Sequence, residues 1–155
     1  MRTYNFLILC LVAVAFSFTS CEQEYEKQYS WAYPVAGDWM VKAYIDGTPI
    51  TGPWEMKTYN SSFGKDSIWI DDYDGNFWEY QVKCAVNMTG RTFQTNGSTN
   101  ATPDYPIQIK ILNGKVINND SIYYEVQFED DDPSFGTTYQ IAGHREVSYE
   151  EYVQQ

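Results

Sequence analysis

From about residue 35 onward, apolar and polar residues alternate with a period of two. In the clearest segment, residues 78–87, the apolar positions fall on one face: Trp78, Tyr80, Val82, Cys84 and Val86. A period of two is that of a β-strand with one buried face, whereas an amphipathic helix repeats every 3.6 residues. No part of residues 35–155 shows a convincing helical period. The alternation therefore predicts an all-β domain.

Short turn signals separate the alternating segments. The pairs Asp46-Gly47 and Asn113-Gly114 and the triplet Asp74-Gly75-Asn76 are typical of tight reversals between antiparallel strands. A brief strand, 115–117, is expected after the second pair, which gives eight or nine strands in all. The pattern predicts an antiparallel up-and-down β-barrel, because closure leaves no exposed edge strand. An open β-sandwich has the same periodicity and remains the alternative.

The first twenty residues differ from the rest of the chain. They carry one charge, that of Arg2, and they are apolar from Phe6 to Phe18. An apolar run of this length is too short to span about 30 Å of hydrocarbon as a helix, and it is typical of a signal peptide. The sequence Phe18-Thr19-Ser20-Cys21 resembles a bacterial lipobox, in which the cysteine is lipidated and becomes the new N-terminus. We therefore predict a lipoprotein signal peptide over residues 1–20 and lipidation of Cys21.

The rest of the chain is expected to form an acidic tether and one domain. The tether is predicted over residues 21–34, following Cys21, and the barrel domain over residues 35–155. An acidic cluster directly after the lipidated cysteine resembles the signal that exports lipoproteins to the cell surface in some Gram-negative bacteria. The expected location is the outer membrane, with exposure at the cell surface as the further expectation, and membrane contact is expected through the lipid anchor.

Charge and residue types exclude several classes of function. Loss of residues 1–20 changes the net charge from −11 to −12, because it removes one arginine. A chain this acidic is not expected to bind nucleic acid, which requires clustered Lys and Arg. His144 is the only histidine, and no Gly-x-Ser-x-Gly motif is present. We therefore expect no catalytic residues, no metal site and no cofactor.

Two motifs at opposite ends of the predicted domain resemble those of calycin barrels, the lipocalins and their relatives. Gly37-Asp38-Trp39 opens the first strand, and Gly143-His144-Arg145 closes the last. In that superfamily the tryptophan closes one end of the barrel and the arginine packs across its indole. The alternation places both Trp39 and Arg145 on inward faces, so we predict a cation–π pair at one end of a calycin-like barrel.

The whole chain is similar to a family of small bacterial lipoproteins known as lipid-binding putative hydrolases. The resemblance depends on the lipobox, on the segments 36–39, 120–122 and 143–145, and on the acidic tail 149–152. The chain departs from the family pattern at Glu146-Val147, where a second basic residue and Thr-Gly are usual. The resemblance implies lipid binding. The word hydrolase in the family name corresponds to no catalytic constellation in this sequence, so whether the protein is an enzyme stays open, with binding favoured.

An eight-stranded barrel is either filled by its own side chains or encloses one small apolar ligand. Residues on the inward faces are the candidates for lining such a ligand: Val41, Ala43, Tyr80, Val82, Cys84, Ile109, Tyr124, Val126, Phe128, Tyr139 and Ile141. The tyrosine hydroxyls among them are expected to orient its polar end. Cys84 is expected to be a buried small hydrophobic residue rather than a reactive thiol.

The expected function is binding of a lipid or another apolar small molecule inside the barrel of a membrane-anchored lipoprotein, without catalysis. Two alternatives remain. One is a surface glycan-binding module, in which exposed Tyr44, Tyr123 and Trp54 stack on sugar rings. The other is a weak hydrolase with His144 as its base, although the alternation places this histidine on the outer face.

Overall fold

A computed structural model describes residues 29–73 and 75–146. Its strands, in chain order, are β1 (Gly37–Ile45), β2 (Thr48–Asn60), β3 (Ser67–Asp71), β4 (Gln81–Asn87), β5 (Thr92–Thr99), β6 (Gln108–Ile117), β7 (Ser121–Phe128) and β8 (Tyr139–Arg145). Each strand pairs antiparallel with the next, and β8 pairs with β1 to close the barrel. The predicted up-and-down barrel is therefore confirmed, and the open sandwich is excluded. None of the described residues form a helix that is long and apolar enough to cross a membrane.

The turn predicted at Asn113-Gly114 is wrong, because these residues lie inside β6. Asn113 has a φ of 54°, and the pairing of β6 with β7 shifts register between Leu112 and Lys115. The pair therefore forms a bulge, and the segment predicted as a ninth strand continues β6. Gly114 lies against Phe93 of β5, and a Cβ at Gly114 would lie 2.4 Å from the Phe93 ring. The glycine is needed for close packing of two strands rather than for a reversal.

The strand predicted to begin at Trp78 begins instead at Gln81. Residues 72–80 form a loop, because the carboxylate of Asp72 takes up two backbone N–H groups that a strand would use in its ladder. Its Oδ2 accepts hydrogen bonds from the amides of Phe77, at 2.9 Å, and Trp78, at 3.0 Å. The alternation that predicted a longer strand reflects neighbouring residues only. The Asp72 carboxylate instead binds amides five and six residues further along the chain.

The inward faces of the strands form one continuous core. In β7, for example, every second residue is buried, from Ile122 to Phe128. The residues predicted to line a ligand all lie in this interior, with exposed fractions between 0 and 8%. The strand period alone predicts this placement, since a shift of one residue would turn every side chain to the other face.

Trp39 and Arg145 lie together at one end of the barrel. The indole of Trp39 is fully buried, and its Nε1 donates to Thr58 Oγ1 at 2.8 Å. The Thr58 hydroxyl in turn donates to the Val35 carbonyl at 2.7 Å. The polar edge of the tryptophan is therefore satisfied, so its burial carries no penalty for an unpaired donor.

The guanidinium of Arg145 stacks on this indole, with its Cζ 4.3 Å from the ring centroid. Its Nε donates to the Asn119 carbonyl and its Nη1 to the Ala36 carbonyl, each at 2.7 Å. Desolvation lowers the pKa of Arg145 from its usual value. A Cβ at Gly37 would lie 2.0 Å from Arg145 Nη1. The Gly-x-Trp motif and Arg145 thus form one packing unit, in which the glycine leaves room for the guanidinium. We call the end of the barrel that this unit closes the Trp39 end.

This unit can be tested by a double-mutant cycle. We expect Gly37→Ala and Arg145→Ala each to lower the free energy of unfolding by about 1–3 kcal/mol. The double variant should lose less than the sum of the two, because the added methyl group no longer meets a guanidinium. Urea unfolding of the four proteins measures this coupling.

Gly90→Ala is the matched control for this cycle. A Cβ at Gly90 would contact Thr92 at an ordinary 3.5 Å, so we expect little change in stability. Strictly additive losses in the double variant would contradict the proposed packing of Gly37 against Arg145.

Candidate functional site

The opposite end of the barrel is covered by aromatic rings. Trp54, Phe77, Trp78, Phe128 and Tyr139 form this cluster, which we call the aromatic end. Trp78 stacks on Phe128 with ring centroids 4.8 Å apart and an interplanar angle of 16°. Phe77 stacks on Trp54 at 5.3 Å and meets the edge of Tyr139 at 5.4 Å. Phe77 and Trp78 are only half-buried, so they form the outer layer over the other three rings.

Side chains, rather than a strand ladder, hold this outer layer. Asp72 is 1% exposed and binds the two amides of Phe77 and Trp78. The indole Nε1 of Trp78 donates to the Tyr105 hydroxyl at 2.9 Å, and that hydroxyl donates to a carboxylate oxygen of Asp130. Desolvation, together with the hydrogen bond to Asp130, raises the pKa of Tyr105 to about 12. Tyr105 therefore keeps its proton at neutral pH and remains a donor.

Two buried polar atoms next to the outer layer have no hydrogen-bond partner among the described residues. They are Asp72 Oδ1 and Trp54 Nε1. Burial raises the pKa of Asp72, while its hydrogen bonds from Phe77 and Trp78 lower it, and so does the nearby indole of Trp54. The indole is close enough to affect the carboxyl, yet the two form no hydrogen bond of normal geometry. A buried unsatisfied polar atom costs about 1–3 kcal/mol, so this pair requires an explanation.

The loops at the aromatic end are acidic. Residues 46–47, 72–80, 100–107 and 129–138 connect the strands here, and together they contain nine Asp or Glu residues and no Lys or Arg. Asp131 lies close to the rings, since its Oδ1 accepts a hydrogen bond from the Tyr139 hydroxyl at 3.1 Å. Its Oδ2 is buried without a partner in the described chain. Arg145 lies at the other end of the barrel.

The middle of the barrel is packed with its own side chains. The hydroxyls of Tyr80 and Tyr124 are hydrogen-bonded to each other, and that of Tyr124 lies 3.2 Å from Met56 Sδ. Burial raises the pKa of both tyrosines. These hydroxyls, expected to orient a ligand, thus satisfy each other in its absence. Burial also raises the pKa of the Cys84 thiol, which is free and fully buried.

Clefts in the described chain lie on the surface. An open groove of about 820 Å³ follows the outer wall over β4, β5, β6 and β7, and Asn87, Gln94, Lys115 and Glu125 line it. This groove is mixed in character, since Val86, Phe93 and Tyr123 also line it, and it lies away from the aromatic cluster. A smaller cleft of about 270 Å³ lies beside Trp78, at the aromatic end. The smaller cleft is the better candidate for an apolar ligand, because Phe77, Trp78 and Tyr105 form most of its wall and Glu79 is its one charged residue.

The alternative functions gain little from this geometry. Trp54 was expected to be an exposed platform for sugars, and this is wrong: it is 6% exposed because it stacks under Phe77. Tyr44 and Tyr123 are half-buried on the outer wall. His144 is exposed, and its Nδ1 lies 3.1 Å from the neighbouring Arg145 carbonyl. In the described ranges, no group of three His, Cys, Asp or Glu residues is arranged to hold a metal ion.

Sequence reasoning missed Asp72, Phe77 and Tyr105. One signal could have identified the loop. Phe77 and Trp78 are adjacent large apolar residues, and a half-buried strand cannot bury both, because neighbours point to opposite faces. Adjacent aromatic residues after Gly75-Asn76 therefore indicate a loop that folds over the core rather than the start of a strand.

The raised pKa of Asp72 predicts a dependence of stability on pH. The folded chain binds the proton of the Asp72 carboxyl group more tightly than the unfolded chain does. The contribution of this proton to stability is therefore full below the unfolded-state pKa, about 3.9. It is lost as the pH rises through the folded-state pKa. Asp72→Asn removes this titration and keeps an acceptor for the two amides. Relative to the wild type, its free energy of unfolding should therefore increase between about pH 4 and about pH 7. Urea unfolding at several pH values measures this trend, and Asp104→Asn, at an exposed loop position, is the control. A difference in free energy of unfolding between Asp72→Asn and the wild type that does not change with pH would contradict the prediction.

Comparison with known proteins identifies the family. A search of curated proteins finds no significant match. The family described as "Lipid-binding putative hydrolase" matches residues 24–150, which include all eight strands. Because the match covers most of the 155 residues, this chain belongs to the lipid-binding putative hydrolase family.

Proposed function

We propose that this protein is a membrane-anchored lipoprotein that binds a lipid or another small apolar molecule at the aromatic end of its barrel. The observation that carries the proposal is the outer layer formed by Phe77 and Trp78. Both rings are half-buried, lie on a loop without strand pairing, and cover the buried rings of Phe128, Tyr139 and Trp54. Membership of a lipid-binding family supports the same chemistry.

Binding requires this outer layer to move, because the interior is packed. Movement of Phe77 and Trp78 breaks two hydrogen bonds to Asp72 and one to Tyr105, while the strands stay paired. Segments that make few ladder hydrogen bonds open at a lower free energy than the whole domain. Burial of an acyl chain gains about 0.8 kcal/mol per CH₂, so about eight methylene groups supply roughly 6 kcal/mol against the cost of opening. A chain of ordinary lipid length is therefore sufficient.

The proposed anchor is Cys21, eight residues before the first described residue. The described chain enters the barrel at the Trp39 end, where Ala32 and Val35 are buried and the Val35 carbonyl accepts a hydrogen bond from Thr58. A lipid anchor joined at that end leaves the aromatic end free for exchange of ligand. The location we propose is the outer membrane, with the barrel exposed at the cell surface.

Quenching by a brominated lipid tests where the ligand lies. Brominated oleyl alcohol and brominated methyl oleate should quench the tryptophan fluorescence of the purified protein saturably, since bromine quenches an indole only at short range. In the double variant Trp54→Phe/Trp78→Phe we expect more than half of the quenching amplitude to disappear.

The control for this experiment is Trp69→Phe, which removes a half-buried tryptophan of β3 on the outer wall. It should keep most of the amplitude. Full quenching in the double variant would place the ligand elsewhere, and absence of saturable quenching in the wild type would overturn the proposed function.

Expression of cysteine variants tests the anchor. Cys21→Ser should abolish the incorporation of labelled fatty acid into the protein. Cys84→Ala is the matched control, because this buried thiol lies inside the barrel and should leave the anchor intact. Incorporation of labelled fatty acid into Cys21→Ser would contradict lipidation at this residue.

A further inference from the structure

We infer that the ligand carries a hydroxyl group at its polar end, so that the preferred ligands are neutral lipid alcohols rather than ionised fatty acids. This inference rests on the proposed function, and it follows from two of the three buried atoms at the aromatic end that have no partner among the described residues, those that belong to residues in contact with Phe77. Trp54 Nε1 is a donor, and Asp72 Oδ1 is an acceptor. Their residues are 6% and 1% exposed.

Both atoms belong to residues that contact Phe77. The Trp54 indole stacks under its ring at 5.3 Å, and the second oxygen of Asp72 accepts its amide N–H at 2.9 Å. When Phe77 moves to admit a ligand, Trp54 and Asp72 both lose these contacts with it. The polar end of an entering ligand therefore meets one donor and one acceptor close together.

A hydroxyl group is the head group that satisfies both. It accepts a hydrogen bond from the indole N–H and donates its own proton to the carboxylate oxygen. A carboxylate or an ester can accept from Trp54 but has no proton for Asp72. An ammonium group can donate to Asp72 but cannot accept from Trp54. Sites with fixed buried donors and acceptors select strongly against ligands that leave one of them unpaired.

The charge of the aromatic end acts in the same direction. The strand-connecting loops at this end have nine acidic residues and no basic one. The guanidinium of Arg145 lies at the Trp39 end, where it is stacked on Trp39 and bonded to two carbonyls. An ionised fatty acid would bring a second negative charge next to Asp72. Lys57 and Lys110 reach this end only over the rings of Tyr73 and Phe135, and Lys57 is already paired with Asp38 and Glu55.

Three brominated lipids with hydrocarbon chains of the same length test this selection: oleyl alcohol, oleic acid and methyl oleate. Each is delivered from cyclodextrin near neutral pH. Saturable quenching of tryptophan gives the three affinities. We expect the alcohol to bind at least about tenfold more tightly than the acid and about fivefold more tightly than the ester. In Trp54→Phe, where Trp78 still reports binding, the alcohol and the ester should both bind more weakly and by a similar factor, because each loses the hydrogen bond from the indole.

Two further variants complete the experiment. Trp69→Phe makes the same substitution on the outer wall and should keep the preference for the alcohol. Asp72→Asn keeps a hydrogen-bond acceptor but removes the negative charge. This variant should therefore still bind the alcohol, and its affinity for the acid should be closer to that for the alcohol. It provides a second test if Trp54→Phe does not fold.

The outcomes separate the two proposals. Equal or tighter binding of the acid, or an affinity for the alcohol that is unchanged in Trp54→Phe, would overturn the hydroxyl assignment and leave the proposed function standing. No saturable quenching by any of the three lipids would overturn the proposed function itself.

Discussion

The pairing of β8 with β1 is the interaction on which the rest of the structure depends. It closes the sheet, and its register places Trp39 directly opposite Arg145 and Val41 opposite Gly143. Gly143 allows this approach, since a Cβ there would lie 2.1 Å from the Met40 carbonyl oxygen. Closure leaves no edge strand among the eight described, and it fixes which side chains point inward. The stacked pair and the packed core are both consequences of this one ladder.

The two ends of the barrel are held in different ways. At the Trp39 end, the contacts join residues far apart in sequence, such as Arg145 with Ala36 and Asn119. At the aromatic end, the outer layer is held mainly by bonds within and between loops, and Asp72 makes two of them at the cost of burying a carboxylate. Local opening should therefore favour the aromatic end, where movement leaves the closing ladder intact.

The sequence was a good guide to which side chains point inward and a poor guide to what they contact. The period of two identifies the interior positions, because it follows from strand geometry alone. The motifs at Gly37-Asp38-Trp39 and Arg145 also predicted a contact between the two ends of the domain sequence, the stacking of Arg145 on Trp39. The predictions that failed did so because a contact with a residue distant in the sequence determined the outcome. Asn113-Gly114 is a bulge because of Phe93 on another strand, and Trp54 is buried because of Phe77, so neither outcome is encoded near the residue concerned.

Acidity at the aromatic end would have a further consequence under the proposed attachment to a membrane. Half-buried rings favour association with other apolar surfaces, but like-charged loops around them oppose both self-association and close contact with anionic lipid headgroups. Lipid attached at Cys21 would keep the protein near the membrane regardless of this repulsion, because burial of acyl chains does not depend on charge. Attachment and ligand binding would then be separate tasks at opposite ends of the barrel. Under that division, the aromatic end would admit a lipid on the basis of its apolar chain and its hydroxyl group, and the surrounding carboxylates would disfavour lipids that carry negative charge.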